Sequence, residues 1–191
     1  MKLLEDRIIN DGTVLSEEVL KVDSFLNHQL DISLLENLAD EWYSLFKDSG
    51  VTKILTIESS GIALAALTAR KFGVPVVFAK KSKTSNIGDE VYSSKVVSYT
   101  RGQAYEVVIS KKYVSENDRV LLIDDFLARG SALKVLINLA ERGGATVVGA
   151  GIAVEKAFQN GGNDIRALGY RIESLAKIKS MRKDGTIEFE D

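Results

Sequence analysis

Short β-branched apolar runs alternate with helix-length segments along most of this chain, and that alternation restricts the folds open to it. VTKILTI (51–57), VPVVFAKK (74–81), DRVLLIDDF (118–126), TVVGAGIAVEK (146–156) and IESLAKI (172–178) read as strands. Residues 31–49 place Leu34, Leu35, Leu38, Trp42, Leu45 and Phe46 at helical spacing, with Gly50 as a stop. Segments 61–73, 131–142 and 157–169 read as further helices. Strands separated by helices need crossover connections, which predicts an α/β fold: a mostly parallel central sheet flanked by helices. The polar stretch 80–95 breaks the alternation. After it, VVSYT (96–100) and AYEVVIS (104–110) read as a hairpin turning near Arg101-Gly102.

Composition removes several function classes. The 191 residues hold no cysteine, which excludes disulfides, thiolate metal sites and cysteine nucleophiles. A single histidine, His28, gives little support to a histidine metal cage or a serine–histidine charge system. Twenty-five basic against 27 acidic residues leave a net charge of −2, unfavourable for bulk attraction to nucleic acid. No apolar run is long enough to span a bilayer, and Glu5 and Asp6 interrupt the start where a secretory segment would continue. Without an internal repeat or linker, the reading is a cytoplasmic chain forming one domain over residues 1–191.

In sheets of this class ligands sit at the carboxyl ends of the strands, so the loops after 57, 79, 125 and 154 matter most. Residues 120–123 form a buried run that ends in Asp124-Asp125, and a short loop with Gly130 and Ser131 then opens onto a helix. Adjacent carboxylates repel and lose hydration there, which hydroxyls or a cation would relieve. Free N–H groups at a helix start bind anions. Together they suit a sugar phosphate; the plainer alternative is that the acids cap a turn and Ser131 caps the helix. No G-x-x-x-x-G-K-[ST] element exists, which excludes a P-loop. Glu58-Ser59-Ser60-Gly61 is a second anion candidate or a capped helix start. Lys80, Lys81 and Lys83 open either a solvated loop or a lid. Lys156 at a strand end is either a snorkelling surface lysine or a site residue. For Leu20 and Asn27 the residue types alone favour a core leucine and a surface amide.

VLLIDDFLARGSA resembles the phosphoribosyl pyrophosphate-binding motif of type I phosphoribosyltransferases, with Ala128-Arg129-Gly130-Ser131 where that family commonly shows Thr-Gly-Gly-Thr. With SEEVLKVDSFLNHQLD (16–31), TIESSGIALA (56–65) and AVEKAF (153–158), the whole chain is similar to the bacterial xanthine phosphoribosyltransferases. The resemblance implies the type I phosphoribosyltransferase fold, with a small N-terminal hood (1–30), a core (31–191) and a flexible loop hairpin (80–104). It implies a purine salvage activity joining phosphoribose to xanthine. Asp124 and Asp125 become catalytic. Ala128, Arg129, Gly130, Ser131 and Ala132 hold the 5′-phosphate, and Glu58, Ser59, Ser60, Gly61 and Lys81 the pyrophosphate, with a non-proline cis peptide in that loop. Leu20, Asn27 and Lys156 contact xanthine, and His28 takes no role. Mg²⁺ is expected to arrive with the substrate rather than on a protein-built site. A homodimer is expected, and neither nucleic acid nor membrane is a partner. Two alternatives stay open: a guanine or hypoxanthine enzyme, since each base presents a 6-oxo group, and a purine-responsive regulator. Against the regulator, the residues ahead of 31 are too few for a winged helix.

Overall fold

The computed structural model describes residues 1–81, 90–98 and 103–190. Lys83, half of the polar stretch (82–89) and the turn expected at Arg101-Gly102 lie outside the described residues. The chain opens with helix α1 (Lys2–Asp11), the hairpin β1 (Thr13–Ser16) and β2 (Val19–Lys21), and a π-helical turn Asp23–Asn27. Then follow α2 (Ile32–Phe46), β3 (Lys53–Ile57), α3 (Gly61–Phe72), β4 (Val76–Ala79), β5 (Val91–Ser98) and β6 (Gln103–Ser110). The remainder is β7 (Arg119–Leu127), α4 (Ser131–Arg142), β8 (Thr146–Lys156), α5 (Gly161–Ala167), β9 (Ile172–Met181) and β10 (Ile187–Phe189).

The six-stranded sheet has the order β10-β9-β8-β7-β3-β4, parallel except that β10 runs against β9. From β3 the chain crosses over α3 to β4; from β7 it crosses over α4 to β8, in the opposite direction. The two neighbours β3 and β7 therefore bracket a topological switch point, and the crevice between their carboxyl ends is where such sheets bind ligands. Strand alternation builds a core on each face. Ile54, Leu121 and Ile123 pack with Trp42 of α2 and Leu64 of α3; Leu55, Val120 and Leu122 pack with Leu133 and Leu136 of α4.

The expected α/β alternation is present, with four local differences. The helix expected over 157–169 is a short turn (Ala157–Gln159) followed by the seven-residue α5, because Asn160-Gly161-Gly162 interrupts it, with Asn160 at φ 60°. The last predicted strand runs on to Met181 and gains an antiparallel partner, β10. The hairpin's first strand starts at Val91, inside the polar stretch, because Val91 pairs with Ser110 and holds the register from there. The N-terminal elements were not anticipated either. Only Leu4 and Ile8 of α1 are buried, too few for a readable stripe, yet they join Leu20, Val22, Phe25 and Leu26 in the α2–α3 core.

At the amino edge of the sheet, Lys53 at the start of β3 reaches Asp118, just before β7. Lys53 Nζ donates to Asp118 Oδ2 at 2.8 Å and to the Tyr113 carbonyl at 2.6 Å. The N–H and hydroxyl of Ser115 donate to the same carboxylate at 2.8 and 3.1 Å. Burial alone would raise the Asp118 carboxyl, but Lys53 and Ser115 hold it below its ordinary value. A depressed carboxyl contributes stability above its unfolded pKa and loses it as pH falls through the folded one. Lys53→Met should therefore cost about 1–3 kcal/mol near neutral pH. Urea unfolding repeated below the ordinary aspartate range, about pH 4, should show that difference shrink.

Candidate active site

β7 places its two acids in the crevice. Asp124 and Asp125 are 5% and 8% exposed, and the Asp125 N–H donates to Asp124 Oδ1 at 3.0 Å. Burial, then the neighbouring charge of Asp125, raises the Asp124 carboxyl well above its ordinary value, with Lys81 opposing. Asp125 Oδ2 accepts from Asn27 Nδ2 at 3.0 Å, so the hood lies over the acids.

The loop 58–61 approaches from β3, and its Glu58–Ser59 peptide is cis, as the resemblance implied. A Cβ at Gly61 would fall 2.1 Å from Thr56 Oγ1 and 3.2 Å from Asp124 Oδ1, so only glycine lets α3 begin this close to the acid. The Glu58 carboxylate accepts from the Lys81 N–H at 2.7 Å, and its own N–H donates to the Ala79 carbonyl at 3.0 Å, tying the loops after β3 and β4 together. Lys81 Nζ lies 5.8 Å from the centre of the Tyr105 ring. Burial and then the Asp124 charge raise the Tyr105 hydroxyl.

On the other side of the acids, Ala128, Arg129 and Gly130 lead into α4, which starts at Ser131 and Ala132. Neither α3 nor α4 has a side-chain cap at its start. Neither Ser60 nor Ser131 caps its helix through its side chain; at α3 the Ile62 N–H donates instead to the Ser59 carbonyl at 3.2 Å, and a helix start offers further first-turn N–H groups to a ligand.

The base-side candidates are engaged with the hood. Lys156 Nζ donates to the Glu18 carbonyl at 2.6 Å and lies 5.4 Å from the centre of the Phe126 ring. Burial lowers the Lys156 ammonium, with the Glu18 charge opposing. Leu20 is 7% exposed and packs in the core, as its residue type favoured. Sequence reading passed over Phe126 and Tyr105. Phe126 follows the acid pair directly and is half-buried beside Lys156, a signal available from the strand end. Tyr105 depends on hairpin placement, which no local pattern reveals. Among the described residues no group of three or more histidine or acidic side chains forms a metal cage. A groove of about 1110 Å³ lies elsewhere, along the outer edge of β4, lined by Pro75, Phe78, Lys80, Glu90, Lys111 and Tyr113 among others.

Comparison with known proteins identifies the family. The phosphoribosyl transferase domain family matches residues 21–176. The chain belongs to that family. It is 52% identical over 191 residues to the xanthine phosphoribosyltransferase of Finegoldia magna, covering 100% of both chains. It is 53% identical over 191 residues to that of Bifidobacterium adolescentis, covering 99% of both. Its fold is similar to the adenine phosphoribosyl transferase of Trypanosoma brucei in complex with AMP, pyrophosphate and ribose-5-phosphate. That likeness has a TM-score of 0.76 and 20% identity, and covers 91% of this chain and 79% of that one. The type I phosphoribosyltransferase fold expected from the motif is present, with its mostly parallel sheet between helices.

In this phosphoribosyltransferase Asp124 is a buried acid whose raised pKa means that folding favours its protonated form. A raised carboxyl costs stability as pH rises above its unfolded value. Asp124→Asn keeps an acceptor for the Asp125 N–H and removes the buried charge. The ligand-free variant should melt a few degrees higher than the parent at pH 8, at about 2–4 °C per kcal/mol. The gain should fade near pH 4, which calorimetry at both pH values checks.

Proposed function

We propose that this chain is a purine salvage enzyme that moves 5-phosphoribose from phosphoribosyl pyrophosphate to N9 of xanthine. The products are xanthosine 5′-monophosphate and pyrophosphate. The observation that carries the reading is the buried Asp124–Asp125 pair between two uncapped helix starts, on a chain about half identical to named xanthine phosphoribosyltransferases over its full length.

The bond from the anomeric carbon to pyrophosphate breaks as the bond to N9 forms, through a sugar that carries positive charge, and the imidazole-ring proton of xanthine is lost to solvent or to the departing pyrophosphate. Such a reaction needs positioning and charge stabilisation rather than a strong nucleophile. Asp124 and Asp125 accept from the ribose hydroxyls beneath that charge. Residues 128–132 hold the 5′-phosphate through backbone N–H groups and the Ser131 hydroxyl. Residues 58–61, with Lys81, hold the leaving pyrophosphate. Phe126 offers a flat face to the purine, Lys156 donates to its 6-oxo oxygen, Asn27 reads the 2-position and Leu20 adds apolar contact. A lysine donor excludes adenine, which has an amino group at position 6, but does not separate the 6-oxopurines, so Asn27 carries that choice.

Mg²⁺ fits this site as a substrate-borne ion. The carboxylates of Asp124 and Asp125 are hard oxygen donors that would face such an ion, and a cation there would relieve the repulsion between them. Held by pyrophosphate, such an ion would help neutralise the leaving group's charge. The chain is read as one domain (hood 1–30, core 31–191, loop 80–104) that works in the cytoplasm. Among the described residues no helix is long and apolar enough to cross a membrane. A homodimer is also part of this reading: β4 is a sheet edge, and its Phe78 is 40% exposed.

Steady-state turnover with phosphoribosyl pyrophosphate, Mg²⁺ and each of xanthine, guanine, hypoxanthine and adenine tests the proposal. The expected order places xanthine first and adenine last in kcat/KM. Preference for guanine would remove Asn27 as the reader. No turnover, with an operator-DNA gel shift, would favour a regulator. Asp124→Asn and Asp125→Asn should each lower kcat/KM by about 10²–10³-fold in a folded protein.

A further inference from the structure

Glu155 and Lys156 are neighbours at the end of β8, and consecutive strand residues point to opposite faces. Lys156 turns to the hood and Phe126. Glu155 turns to α5, where it is 2% exposed and both its oxygens are engaged. Arg166 of α5 donates to them at 2.7 and 2.6 Å in a two-pronged ion pair, and the Ser174 hydroxyl of β9 donates to Oε2. Arg166 also donates to the Ile172 carbonyl at 3.4 Å. A Cβ at Gly162 would lie 1.9 Å from Glu155 Oε1 and 2.7 Å from Arg166 Nη1, so the first turn of α5 sits directly on the pair. Burial alone would raise the Glu155 carboxyl; Arg166 and Ser174 hold it below its ordinary value.

On its other side α5 meets the loop after β7 with almost no side chain between. The Gly161 N–H donates to the Ala128 carbonyl at 3.2 Å. A Cβ at Gly161 would lie 2.3 Å from the Ala128 oxygen and 2.5 Å from the Gly130 nitrogen, and one at Gly130 would lie 2.9 Å from Ile165 Cδ1. A seven-residue helix has little stability of its own. Its place is fixed by Ile165 in the second core and by the ion pair. Any shift of α5 is passed on to residues 128–130, because backbone rests on backbone there.

We propose that Glu155 and Arg166 are positioning residues for the phosphate loop: their buried ion pair seats α5 on the sheet, and α5 in turn fixes residues 128–130 for the 5′-phosphate. One strand end thus sets the base lysine on one face and the support of the phosphate loop on the other. The inference rests on the phosphate-loop role given to 128–132 above.

The test compares binding of ribose 5-phosphate and of Mg²⁺-pyrophosphate to the full chain by calorimetry, alongside steady-state kinetics. Glu155→Gln and Arg166→Met should weaken ribose 5-phosphate and raise KM for phosphoribosyl pyrophosphate by about tenfold. Pyrophosphate binding at 58–61 and KM for xanthine should stay within about twofold, and Arg166→Lys should recover part of the loss. Ser174→Ala keeps the ion pair and removes one hydrogen bond. It supplies the same readout if the first variants do not fold, with a loss of about two- to threefold. Unchanged ribose 5-phosphate binding in folded variants would overturn the proposal, as would an equal weakening of every ligand. If the unaltered protein binds pyrophosphate but not ribose 5-phosphate, the role of 128–132 falls, and this inference with it.

Discussion

Two carboxylates side by side at the buried end of a parallel strand are costly to hold in place, and elements from both ends of the chain meet around them. Asp124 and Asp125 follow directly on four buried apolar residues of β7. Among the described residues neither is in an ion pair, although each is almost wholly buried. The protein offers only partial relief: the Asp125 N–H to Asp124, the Asn27 amide to Asp125, and the more distant Lys81 charge. The remaining deficit is of the kind that sugar hydroxyls and a cation would fill. The crossover reversal between β3 and β7 puts two helix starts beside that deficit, at the place where sheets of this class bind ligands.

How much of this was legible in the string depended on how local the determinant was. The strand 120–123, the acids and the glycine–serine helix start are contiguous, and each follows from residue type and spacing. The parallel sheet follows from helix-length spacers. The hood does not: the Asn27–Asp125 contact joins residues 98 apart, and Lys156 meets the Glu18 carbonyl across 138. No pattern inside 1–30 encodes either contact, and α1 has too narrow a buried stripe to be seen. The support under the phosphate loop was hidden for a related reason. Residues 157–169 carry an apparent helical pattern, and only packing shows that Asn160-Gly161-Gly162 divides it and brings Gly161 against Ala128.

The hood contacts also have a chemical logic. An amide N–H on Asp125 stands where the proposed reading puts a ribose hydroxyl, and a backbone carbonyl on Lys156 stands where it puts a 6-oxo oxygen. Each hood group has the polarity of the substrate group it would yield to. The ligand-free chain thus meets part of the hydrogen-bonding demand of buried groups that would otherwise be left unpaired. Substrate binding would then combine an exchange of partners at Asp125 and Lys156 with the filling of the positions left unsatisfied at Asp124.

Comparing the buried carboxylates separates the parts of the fold that hold it together from the part that acts. Asp118 at the amino edge has Lys53 and Ser115, and Glu155 on the α5 face has Arg166 and Ser174; both carboxyls are held below their ordinary values despite burial. Asp124, the most deeply enclosed of the three, is pushed the other way. Depth of burial is one part of the difference. The other is whether a cation and hydrogen-bond donors were built in alongside. Structural acids come with their partners, whereas an acid that must receive a substrate cannot be fully satisfied beforehand, since a complete set of protein donors would occupy the positions the substrate needs. The depressed acid at Glu155 lies under the loop 128–130 through α5, and the elevated one at Asp124 faces the crevice between β3 and β7.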